Sequence, residues 1–411
     1  MSRIDELIAQ LCPDGVEFKC LGAIARIKNG KDHKSLGDGT FPVYGSGGIM
    51  RYVDTFAYDK PSVLIPRKGS LGNLFYVDVP FWNVDTIFYT EINDSHVLPK
   101  FLYYFLTTVG LGGMNQAGGV PSQTQSVLNE LKIPIPPLEV QREIVKVLDT
   151  FTELEAELEA ELEARQRQYG HYRNALLTFD GDLSAVMPRA VAVSTGGHVD
   201  SATTLRSAQN DSVRWATLGG VAEIRSGWGF PNAYQGQTEG AYPFYKVSDM
   251  NLIGNETLMT VANNFIDEAA ARNLGVIPAP AGTVIFPKIG AAIATNKKRL
   301  LSMPSAYDNN VMGLIPTNQL NPRFLFFWMQ TVDLTKLAHD SGAVPSIRKS
   351  EMETLKIPIP PLEEQARIVA ILDKFDALVN DLSSGLPAEI KARRQQYEYY
   401  RNRLLSFREA T

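Results

Sequence analysis

Apolar positions along the chain follow two different periods. Short runs rich in β-branched and aromatic residues, such as "SVLIP" (62–66), "NLFYV" (73–77) and "TVIFP" (283–287), lie between glycines and prolines. This pattern is typical of β-strands. A second pattern follows "IPIPP" (133–137), where apolar residues recur on one helical face at Ile144, Val147, Leu148, Phe151, Leu154 and Leu158. The two periods together predict α/β globular parts combined with a long helix.

The long helix has recognisable ends in the sequence. Each proline of "IPIPP" disfavours helix at the residue before it, whereas the first turn of a helix tolerates proline. No Gly or Pro follows until Gly170, so the pattern predicts a helix of about 40 residues and about 60 Å. Its middle, "ELEAELEAELEA" (153–164), repeats one tetrapeptide three times. Glu153, Leu154, Leu158 and Leu162 lie within this repeat.

The sequence around the start of this helix occurs twice in the chain. "LKIPIPPLEVQREIVKVLDTF" (131–151) returns as "LKIPIPPLEEQARIVAILDKF" (355–375), with 15 of 21 positions identical. Upstream of each copy, "SVLIPRKG" (62–69) corresponds to "TVIFPKIG" (283–290). The stretches between such pairs differ in length and residue. We interpret this as a tandem duplication with two similar helical parts and two variable globular parts.

The duplication predicts a mixed α+β fold with an internal repeat, in which two globular α/β parts alternate with two long helices. The expected segments are a first globular domain (1–137), a central helix (138–179), a linker (180–212), a second globular domain (213–361) and a distal helix (362–408). The linker is rich in Ser, Thr, Gly and Ala and lacks periodicity. Gly385 and Pro387 fall inside the distal helix and predict a kink or a break there.

Composition places the chain among globular proteins. Hydrophobic residues make up 44% of the 411 residues, and the longest apolar runs are far shorter than a bilayer span. The start of the chain carries charges where a signal peptide needs an apolar stretch, and two cysteines are too few for a disulfide framework. These features predict a cytoplasmic protein.

Charge by itself indicates no partner. The net charge is −5, and six glutamates lie within residues 153–164 alone. Residues 16–100 hold ten Lys/Arg against nine Asp/Glu, and residues 213–323 hold nine against seven. Because the globular parts are close to neutral, a nucleic-acid role cannot be argued from net charge.

The sequence lacks the motifs of catalytic and metal sites. It contains no GxxxxGK[ST] loop and no GxGxxG after a strand, and its five histidines lack metal-ligand spacing. "PDGVEFK" (13–19) resembles the acidic–acidic–lysine order of metal-dependent nucleases, but its carboxylates lie only three residues apart at the head of the chain. No Asn/Asp-Pro-Pro-aromatic tetrapeptide of amino-methyltransferases is present. We therefore expect no catalytic residue, cofactor site or metal site in this chain.

Polar and glycine-rich loops remain as candidates, in two different versions. In the first half, "YGSGGI" (44–49) and "PRKGSLGN" (66–73) place glycine N–H groups beside Arg67 and Lys68, which suits a phosphate. In the second half, "TNKKRL" (295–300) clusters three cations at a predicted hairpin end. For each loop alone, a tight turn with solvated charges is an open alternative.

The residues that we predict to contact DNA, through phosphates or base edges, come from these loops and from "SQTQS" (122–126), "RSGWGF" (225–230) and "SIRKS" (346–350), with Lys246 and Lys288 in addition. In the first half they are Tyr44, Ser46, Arg67, Lys68, Ser70, Gln123 and Gln125. In the second half they are Arg225, Trp228, Lys246, Lys288, Asn296, Lys297, Lys298, Arg299, Arg348 and Lys349.

The repeated motifs resemble those of a known family. Two variable domains, each closed by "IPIPPLE-x-Q-x-x-IV-x-x-L-D" and a long helix ending in "YRN-x-LL-x-F", resemble the DNA specificity subunits of type I restriction–modification systems. The start "LIAQLCPDGVEFKCLG" (7–22) is also similar to that family. The resemblance covers nearly the whole chain. It departs from the family's pattern in the long 180–212 linker and in the Gly385–Pro387 break.

The resemblance implies a division of labour within the chain. Each variable half would be a target recognition domain that reads one half of a split sequence in double-stranded DNA. The two long helices would pair as an antiparallel coiled coil with a pseudo-two-fold repeat and would set the distance between the halves. The spacer positions would be Glu153, Leu154, Leu158 and Leu162. Glutamates near Glu153 would then lie opposite Lys391, Arg393 and Arg394.

The resemblance also implies partners. Two methyltransferase subunits would dock on the repeated helix ends, for which the candidates are Tyr169, Tyr172, Arg173, Tyr397, Tyr400 and Arg401. That complex would methylate adenine with S-adenosylmethionine. It would restrict DNA once restriction–translocase subunits that use ATP and Mg join it. The chain itself would hold no cofactor.

Two other functions stay open from the sequence alone. One is a fused defence-system enzyme, against which the missing catalytic motifs count; methylation by the isolated chain would support it. The other is a coiled-coil adaptor without a role on DNA. Failure to bind duplex DNA in the presence of the methyltransferase partner would support that second alternative.

Overall fold

The structure is a computed structural model that describes residues 3–114, 121–179, 213–339, 344–381 and 384–410. The predicted linker 180–212 therefore lies outside the described residues. The chain divides into two compact units, Met1–Leu158 with Ile390–Thr411, and Glu159–Glu389. Each unit combines β-sheets with long helical segments, which confirms the predicted fold class.

The first unit is built from nine strands and the helices around them within its described residues. The strands are β1 (Glu17–Cys20), β2 (Ala25–Asn29), β3 (Asp38–Gly45), β4 (Gly48–Val53), β5 (Ser62–Pro66), β6 (Phe75–Val77), β7 (Trp82–Asn83), β8 (Ile87–Ile92) and β9 (Lys132–Ile135). The helices are α1 (Arg3–Leu11), α2 (Leu21–Ile24), α3 (Pro99–Thr108), α4 (Gln125–Asn129) and the first part of α5 (Leu138–Leu177). The sheets have the orders β2-β8-β5-β6, β4-β3-β7 and β1-β9.

The second unit repeats this plan with ten strands in the part of it that the structure describes. The strands are β10 (Arg214–Thr217), β11 (Ala222–Ser226), β12 (Tyr242–Tyr245), β13 (Leu258–Met259), β14 (Phe265–Ile266), β15 (Val284–Pro287), β16 (Arg299–Leu301), β17 (Ala306–Tyr307), β18 (Val311–Pro316) and β19 (Lys356–Ile359). The helices that come after α5 are α6 (Leu218–Val221), α7 (Glu268–Leu274), α8 (Pro322–Met329), α9 (Lys349–Thr354), α10 (Leu362–Asn380) and α11 (Leu386–Leu404). The sheets have the orders β11-β18-β15-β16-β13, β14-β12-β17 and β10-β19.

The central strands explain the apolar runs of the sequence. All five residues of β5 and all four residues of β15 are buried. A strand covered on both faces has no polar side to present, so its sequence does not alternate. Strand β5 packs into the first core with Phe88, Phe101 and Leu102, and α8 packs against the equivalent core of the second unit.

The proline-rich motif forms the same strand in both units. Strand β9 pairs with β1 antiparallel, with Lys132 opposite Cys20. Strand β19 pairs with β10 in the same register, with Lys356 opposite Thr217. Each "KIPI" segment thus ties the end of a globular part to its beginning, immediately before a long helix starts.

A buried glutamine attaches each long helix to its globular part. The Gln141 side chain is fully buried. Its Oε1 accepts a hydrogen bond from the Leu98 N–H at 2.8 Å, and its Nε2 donates to the carbonyls of His96 at 2.9 Å and Pro136 at 2.7 Å. The motif "LE-x-Q" therefore satisfies three backbone groups that would otherwise be buried without partners.

Gln365 plays the same part in the second unit. This side chain is also fully buried, and it accepts from the Asn321 N–H at 2.8 Å. It donates to the carbonyls of Gln319 at 3.1 Å and Pro360 at 2.9 Å. The duplication has preserved the bonding pattern together with the sequence motif.

One ion pair per unit holds the helix two turns further on. Lys100 Nζ lies 2.8 Å from Asp149 Oδ2, and Tyr104 donates its hydroxyl to Asp149 Oδ1 at 2.5 Å. In the second unit, Arg323 Nε donates to Asp373 Oδ1 at 2.9 Å. The aspartate of the repeated "L-D" thus fixes the rotation of each helix against α3 or α8.

The helices pair antiparallel within each unit. In the first unit Phe151 stacks on Tyr400 with ring centroids 5.5 Å apart, and Arg394 Nε lies 2.5 Å from Glu155 Oε1. This places the acidic stretch of α5 against the basic stretch of α11, as predicted. In the second unit Tyr172 of α5 stacks on Phe375 of α10 at 5.3 Å.

The predicted 40-residue helix is observed as α5. Of its spacer positions, Glu153 and Leu154 are exposed, and Leu158 and Leu162 are half-buried. The predicted break in the distal helix is also present, because α10 ends at Asn380 and α11 begins at Leu386. A Cβ on Gly385 would lie 2.5 Å from the Ala377 carbonyl oxygen, so only glycine fits this turn.

The C-terminal segment completes the first unit. Leu404 and Leu405 are buried in its core. The Val16 N–H donates to the Arg408 carbonyl at 2.9 Å, and the Ala410 N–H donates to the Val16 carbonyl at 2.9 Å. The first unit therefore needs residues from both ends of the chain.

Replacing the buried glutamine should destabilise the first unit. Gln141→Ala leaves one N–H and two carbonyls without a partner, and each buried unsatisfied group costs about 1–3 kcal/mol. We expect a lower midpoint in denaturant unfolding. Gln166→Ala, at an exposed position of the same helix, is the matched control. Equal midpoints for the two variants would show that the glutamine does not hold the helix.

Candidate functional site

Loops from four strands meet at one turn of the first unit. The turn is Val84–Thr86, between β7 and β8. The Val84 N–H donates to the Tyr44 carbonyl at 2.9 Å, and the Arg67 N–H donates to the Thr86 carbonyl at 2.8 Å. The Lys31 N–H donates to the Asn83 carbonyl at 2.8 Å. The end of β3 and the loops after β2 and β5 are thus fastened to the turn before β8, and we name this arrangement the first hub.

The second unit contains the same arrangement around Asp308–Asn310. The Asp308 N–H donates to the Tyr245 carbonyl at 2.9 Å, and the Lys288 N–H donates to the Asn310 carbonyl at 2.8 Å. The Trp228 N–H donates to the Tyr307 carbonyl at 2.9 Å. This second hub repeats the backbone bonds of the first one by one, although its side chains differ.

A glycine makes the close backbone approach in each hub. A Cβ on Gly30 would lie 2.0 Å from the Val84 carbonyl oxygen, and a Cβ on Gly227 would lie 2.0 Å from the Asp308 carbonyl oxygen. No real Cβ tolerates such a distance, so both positions require glycine. The repeated "KNG" and "RSG" of the sequence end in these two residues.

A further loop joins each hub by the same two bonds. In the first unit the Gly69 N–H donates to the Pro121 carbonyl at 2.9 Å, and the Gln123 N–H donates to the Arg67 carbonyl at 3.0 Å. In the second unit the Gly290 N–H donates to the Pro345 carbonyl at 2.8 Å, and the Ile347 N–H donates to the Lys288 carbonyl at 2.9 Å. Each hub therefore collects polar loop residues from distant parts of the sequence onto one backbone frame.

Comparison with known proteins identifies this repeated architecture. A family model described as the type I restriction modification DNA specificity domain matches residues 13–164 and again residues 212–392. The two matches cover both globular parts and both hubs. The chain belongs to this family.

Relatives of this specificity subunit extend over most of its length. It is 31% identical over 331 residues to the EcoR124I/EcoR124II specificity subunit of Escherichia coli, which covers 77% of this chain and 73% of that relative. It is 29% identical over 420 residues to a Haemophilus influenzae protein named as a type I restriction enzyme specificity subunit, with 95% and 96% covered. A role in DNA recognition follows from the family.

Solved structures show the same fold. The type I restriction–modification S subunit from M. genitalium superposes with a TM-score of 0.58 at 16% identity, over 95% of this chain and 96% of that one. A chain from a structure on complex assembly and conformational transition of the type I R-M system gives a TM-score of 0.57 at 17% identity, over 96% and 98%.

The predicted contact residues of the first half come together at the first hub. Asn73 Nδ2 donates to the Ser46 carbonyl at 3.2 Å, which joins the two glycine-rich loops that contain Ser46 and Ser70. Arg67 lies with its guanidinium 5.8 Å from the Phe88 ring centre, while Lys68 and Ser70 are exposed. Tyr44 is half-buried against Phe75 and Phe81, and its burial raises its pKa.

Two glutamines predicted for this site lie in the loop beside it. Gln123 is buried, and its Nε2 donates to the Pro66 carbonyl at 2.5 Å. Its Oε1 has no hydrogen-bond partner among the described residues. Gln125 begins helix α4 and is half-buried. Gln123 therefore shapes the loop, and Gln125 is the more accessible of the two.

The predicted residues of the second half fall into separate groups. Trp228, Lys246 and Lys288 lie at the second hub, and the exposed Arg348 and Lys349 come directly after the loop that joins it. Arg225 instead lies on β11, where its guanidinium donates to Glu223 at 2.7 Å and to the Ile277 carbonyl at 3.1 Å. Those bonds occupy guanidinium donors of Arg225 within the protein.

The "TNKKRL" cluster is less exposed than its sequence indicates. The strands on either side, β15 and β16, pair antiparallel as a hairpin does, and the connection includes a 3-10 helix (Gly290–Thr295). Lys298 is fully buried and donates to Asn296 Oδ1 at 2.7 Å and to the Val332 carbonyl at 2.6 Å. Burial, with nearby Arg173, lowers the Lys298 pKa to about 8. This ammonium has no access to the surface, so we remove Lys298 from the proposed DNA contacts.

The two cations that flank Lys298 also have partners. Arg299 donates to the carbonyls of Lys298 at 2.9 Å and Met250 at 3.2 Å, and its burial lowers its pKa. Lys297 is half-buried and donates to Asn251 Oδ1. Lys297 is thus the cation of this cluster that remains best placed for an external ligand.

The predicted docking residues contribute to helix packing within their own units. Tyr169 and Tyr172 are buried, and the Arg173 guanidinium lies 5.5 Å from the Tyr169 ring centre. In the first unit, Tyr397 and Tyr400 are half-buried against Phe151. The Arg401 guanidinium lies 5.5 Å from the Tyr397 ring centre.

The sequence did not lead us to the residues that form the turn at the centre of each hub. Asp308, Asn310 and Thr86 were not among the predicted contacts, yet the backbone at these turns holds three loops. A signal was available, because "NVDTI" (83–87) and "YDNNV" (307–311) are polar turns directly before a buried strand at equivalent places in the repeat.

The described residues contain no group of three or more His, Cys, Asp or Glu side chains arranged to hold a metal ion. None of the helices in the described part of the chain has the length and apolarity to cross a membrane.

Two glycines of the segment after β11, Gly227 and Gly229, should respond differently to substitution by alanine. Gly227→Ala must displace the Asp308 backbone, so we expect the variant to lose recognition by the second unit. A Cβ on Gly229 meets nothing within 4 Å, so Gly229→Ala should recognise DNA as the unaltered chain does. The measurement is DNA binding by each variant in the assembled complex, with circular dichroism as the check on folding. Normal binding by Gly227→Ala would contradict the role of the hub.

Proposed function

We propose that the two units read the two halves of a split target in duplex DNA, with one hub for each half. The observation that carries this proposal is the repetition of one backbone frame with different side chains. Identical frames place loops in the same position relative to each unit. Different side chains on them present different hydrogen-bonding groups, as reading different bases requires.

The side chains of the hubs suit this division. The first hub offers Arg67, Lys68, Ser46 and Ser70 from glycine-rich loops. The second offers Lys246, Lys288 and Trp228. Cations and polar groups in such loops either contact phosphates, which positions the protein, or read base edges.

The chain acts as a non-catalytic member of a larger assembly. Two methyltransferase subunits dock on the repeated helical parts, and restriction–translocase subunits join that complex. S-adenosylmethionine, ATP and Mg belong to those partners, and this chain binds no cofactor. The repetition of the glutamine anchor and the aspartate ion pair supports two equivalent docking sites, because it gives both units the same helix orientation.

The long helix α5 acts as a spacer between the half-sites. Its central "ELEA" repeats are exposed or half-buried, so their number is not constrained by a buried core. The distal copy carries four more residues between the shared motifs than the first copy. The break between α10 and α11 accommodates such differences in length.

Deleting one tetrapeptide should change the spacing of the target. Removing residues 157–160 shortens the helix by about 6 Å and rotates its downstream part by about 40°, because four residues exceed one turn of 3.6. One base pair of B-DNA rises about 3.4 Å and turns about 35°. The rotations agree, and bending of protein or DNA must absorb the remaining translation. We expect a methylated motif with one base pair less in its unspecified spacer and both half-sites unchanged.

The measurement is methylation sequencing of cells that express the complex with each variant. A deletion of two residues is the matched control, because it turns the helix by about 200° and should abolish methylation. A bipartite motif that depends on this gene is the result expected for the unaltered chain. If the unspecified DNA spacer keeps its length in the four-residue variant, helix α5 does not set the spacing. A continuous motif would refute the split target.

A further inference from the structure

The second hub brings two lysines to the two ends of one turn. The Asp308 N–H is bonded to the carbonyl of Tyr245, which directly precedes Lys246, and the Asn310 carbonyl accepts from the Lys288 N–H. Lys288 Nζ donates to Ser226 Oγ at 3.0 Å. Lys246 Nζ donates to Gln235 Oε1 at 2.5 Å. Both lysines are half-buried and keep ammonium donors beyond these bonds.

A buried carboxylate accompanies the two ammonium groups. Asp308 is 8% exposed. Its Oδ1 accepts from the Asn310 N–H at 3.0 Å, and its Oδ2 accepts from Asn310 Nδ2 at 3.3 Å. Burial raises the Asp308 pKa, and the charge of Lys246 opposes this rise. Burial lowers the Lys288 pKa, and the charge of Asp308 opposes that fall.

The first hub shows that this carboxylate is not needed for the fold. Its equivalent is Val84, which makes the same backbone bond to the preceding loop. The position of Lys246 is taken by Gly45, and that of Lys288 by Arg67.

The turn of the first hub does hold a carboxylate, Asp85, but it is exposed and lies at the position of Asn309. Lys68 of the first hub is replaced by Ile289 in the second. The second hub thus places its cation and its carboxylate at different points of a repeated backbone, which points to a role in the ligand that this unit binds.

A carboxylate beside two lysines suits a base edge better than a phosphate. It repels the negative charge of a phosphate but not the uncharged edge of a base pair. The two ammonium groups are held in place by Ser226 Oγ and Gln235 Oε1, so that their direction carries information. Lysine offers donors only, and in the major groove the edge of guanine presents two acceptors, O6 and N7.

We propose that Lys288 and Lys246 select a guanine in the half-site read by the second unit, and that the Asp308 carboxylate, at the turn that both lysines flank, disfavours a phosphate there. This inference rests on the proposed function. It goes further by naming the base and the residues that choose it.

The test uses the full chain in complex with its methyltransferase subunits. The probes are duplexes that carry the target found by methylation sequencing, with each of the four base pairs placed in turn at every specified position. We expect Lys288→Ala to reduce the preference for guanine at one position of the second half-site by about 10-fold to 100-fold. The first half-site should keep its preferences. Lys288→Arg should retain the preference, because arginine offers donors to the same acceptors.

Asp308→Val separates the effect of this charge from folding, because the first hub folds with valine at this place. We expect the guanine preference to fall at the same position, while binding to unrelated duplex becomes tighter and more dependent on salt. A merely structural role would weaken both kinds of binding together. Lys336→Ala, which removes an exposed lysine outside the hub of this unit, controls for loss of charge and should leave base preference unchanged.

Three results would overturn the inference while leaving the proposed function intact. The second half-site could lack a position that selects a G·C pair. Lys288→Ala could weaken all duplexes equally, as a phosphate contact would. The relaxed position could also lie in the first half-site. In contrast, the absence of any bipartite motif for the unaltered complex would refute the proposed function itself.

Discussion

The architecture depends on how each long helix is fastened to a globular part. A fully buried glutamine, Gln141 or Gln365, joins the first turn of the helix to the loop before α3 or α8. An ion pair from Asp149 or Asp373 then fixes the rotation of the helix. A helix that is fixed at its first turn and again about two turns further on has one orientation relative to its globular part. The repeated motif therefore fixes how each long helix is oriented relative to the globular part that contains the hub.

The two hubs show how a duplicated fold acquires two specificities. Backbone bonds between loops remain, including the approach at Gly30 and Gly227 that only glycine permits. Side chains on that frame change from Val84 to Asp308 and from Gly45 to Lys246. Because the frame does not depend on these side chains, new ones are accepted at little cost in stability. Backbone bonds thus preserve the geometry of the loops, while the side chains on them provide the diversity.

Periodicity and local residue preferences predicted the parts of the structure that depend on neighbours in sequence. Helix α5 and the break near Gly385 belong to this class. The antiparallel pairing of Glu155 with Arg394, which are 239 residues apart, was expected only from the resemblance to the family. The fate of Lys298 was not predictable, since its burial depends on the Val332 carbonyl, which lies 34 residues away. Asp308 was not predicted for a similar reason. Its backbone bonds to segments that are distant in the sequence, and no local pattern reveals those bonds. The loops that carry Ser46, Arg67 and Gln123 were predicted one by one, but their meeting at one turn required the fold.

The central claim is that each unit reads one half of the target independently. The most direct measurement replaces residues 16–130 by the corresponding part of another specificity subunit and determines the methylated motif of the resulting complex. The account predicts that one half-site changes to that of the donor, while the other half-site stays the same. A change in both halves, or in neither, would contradict it.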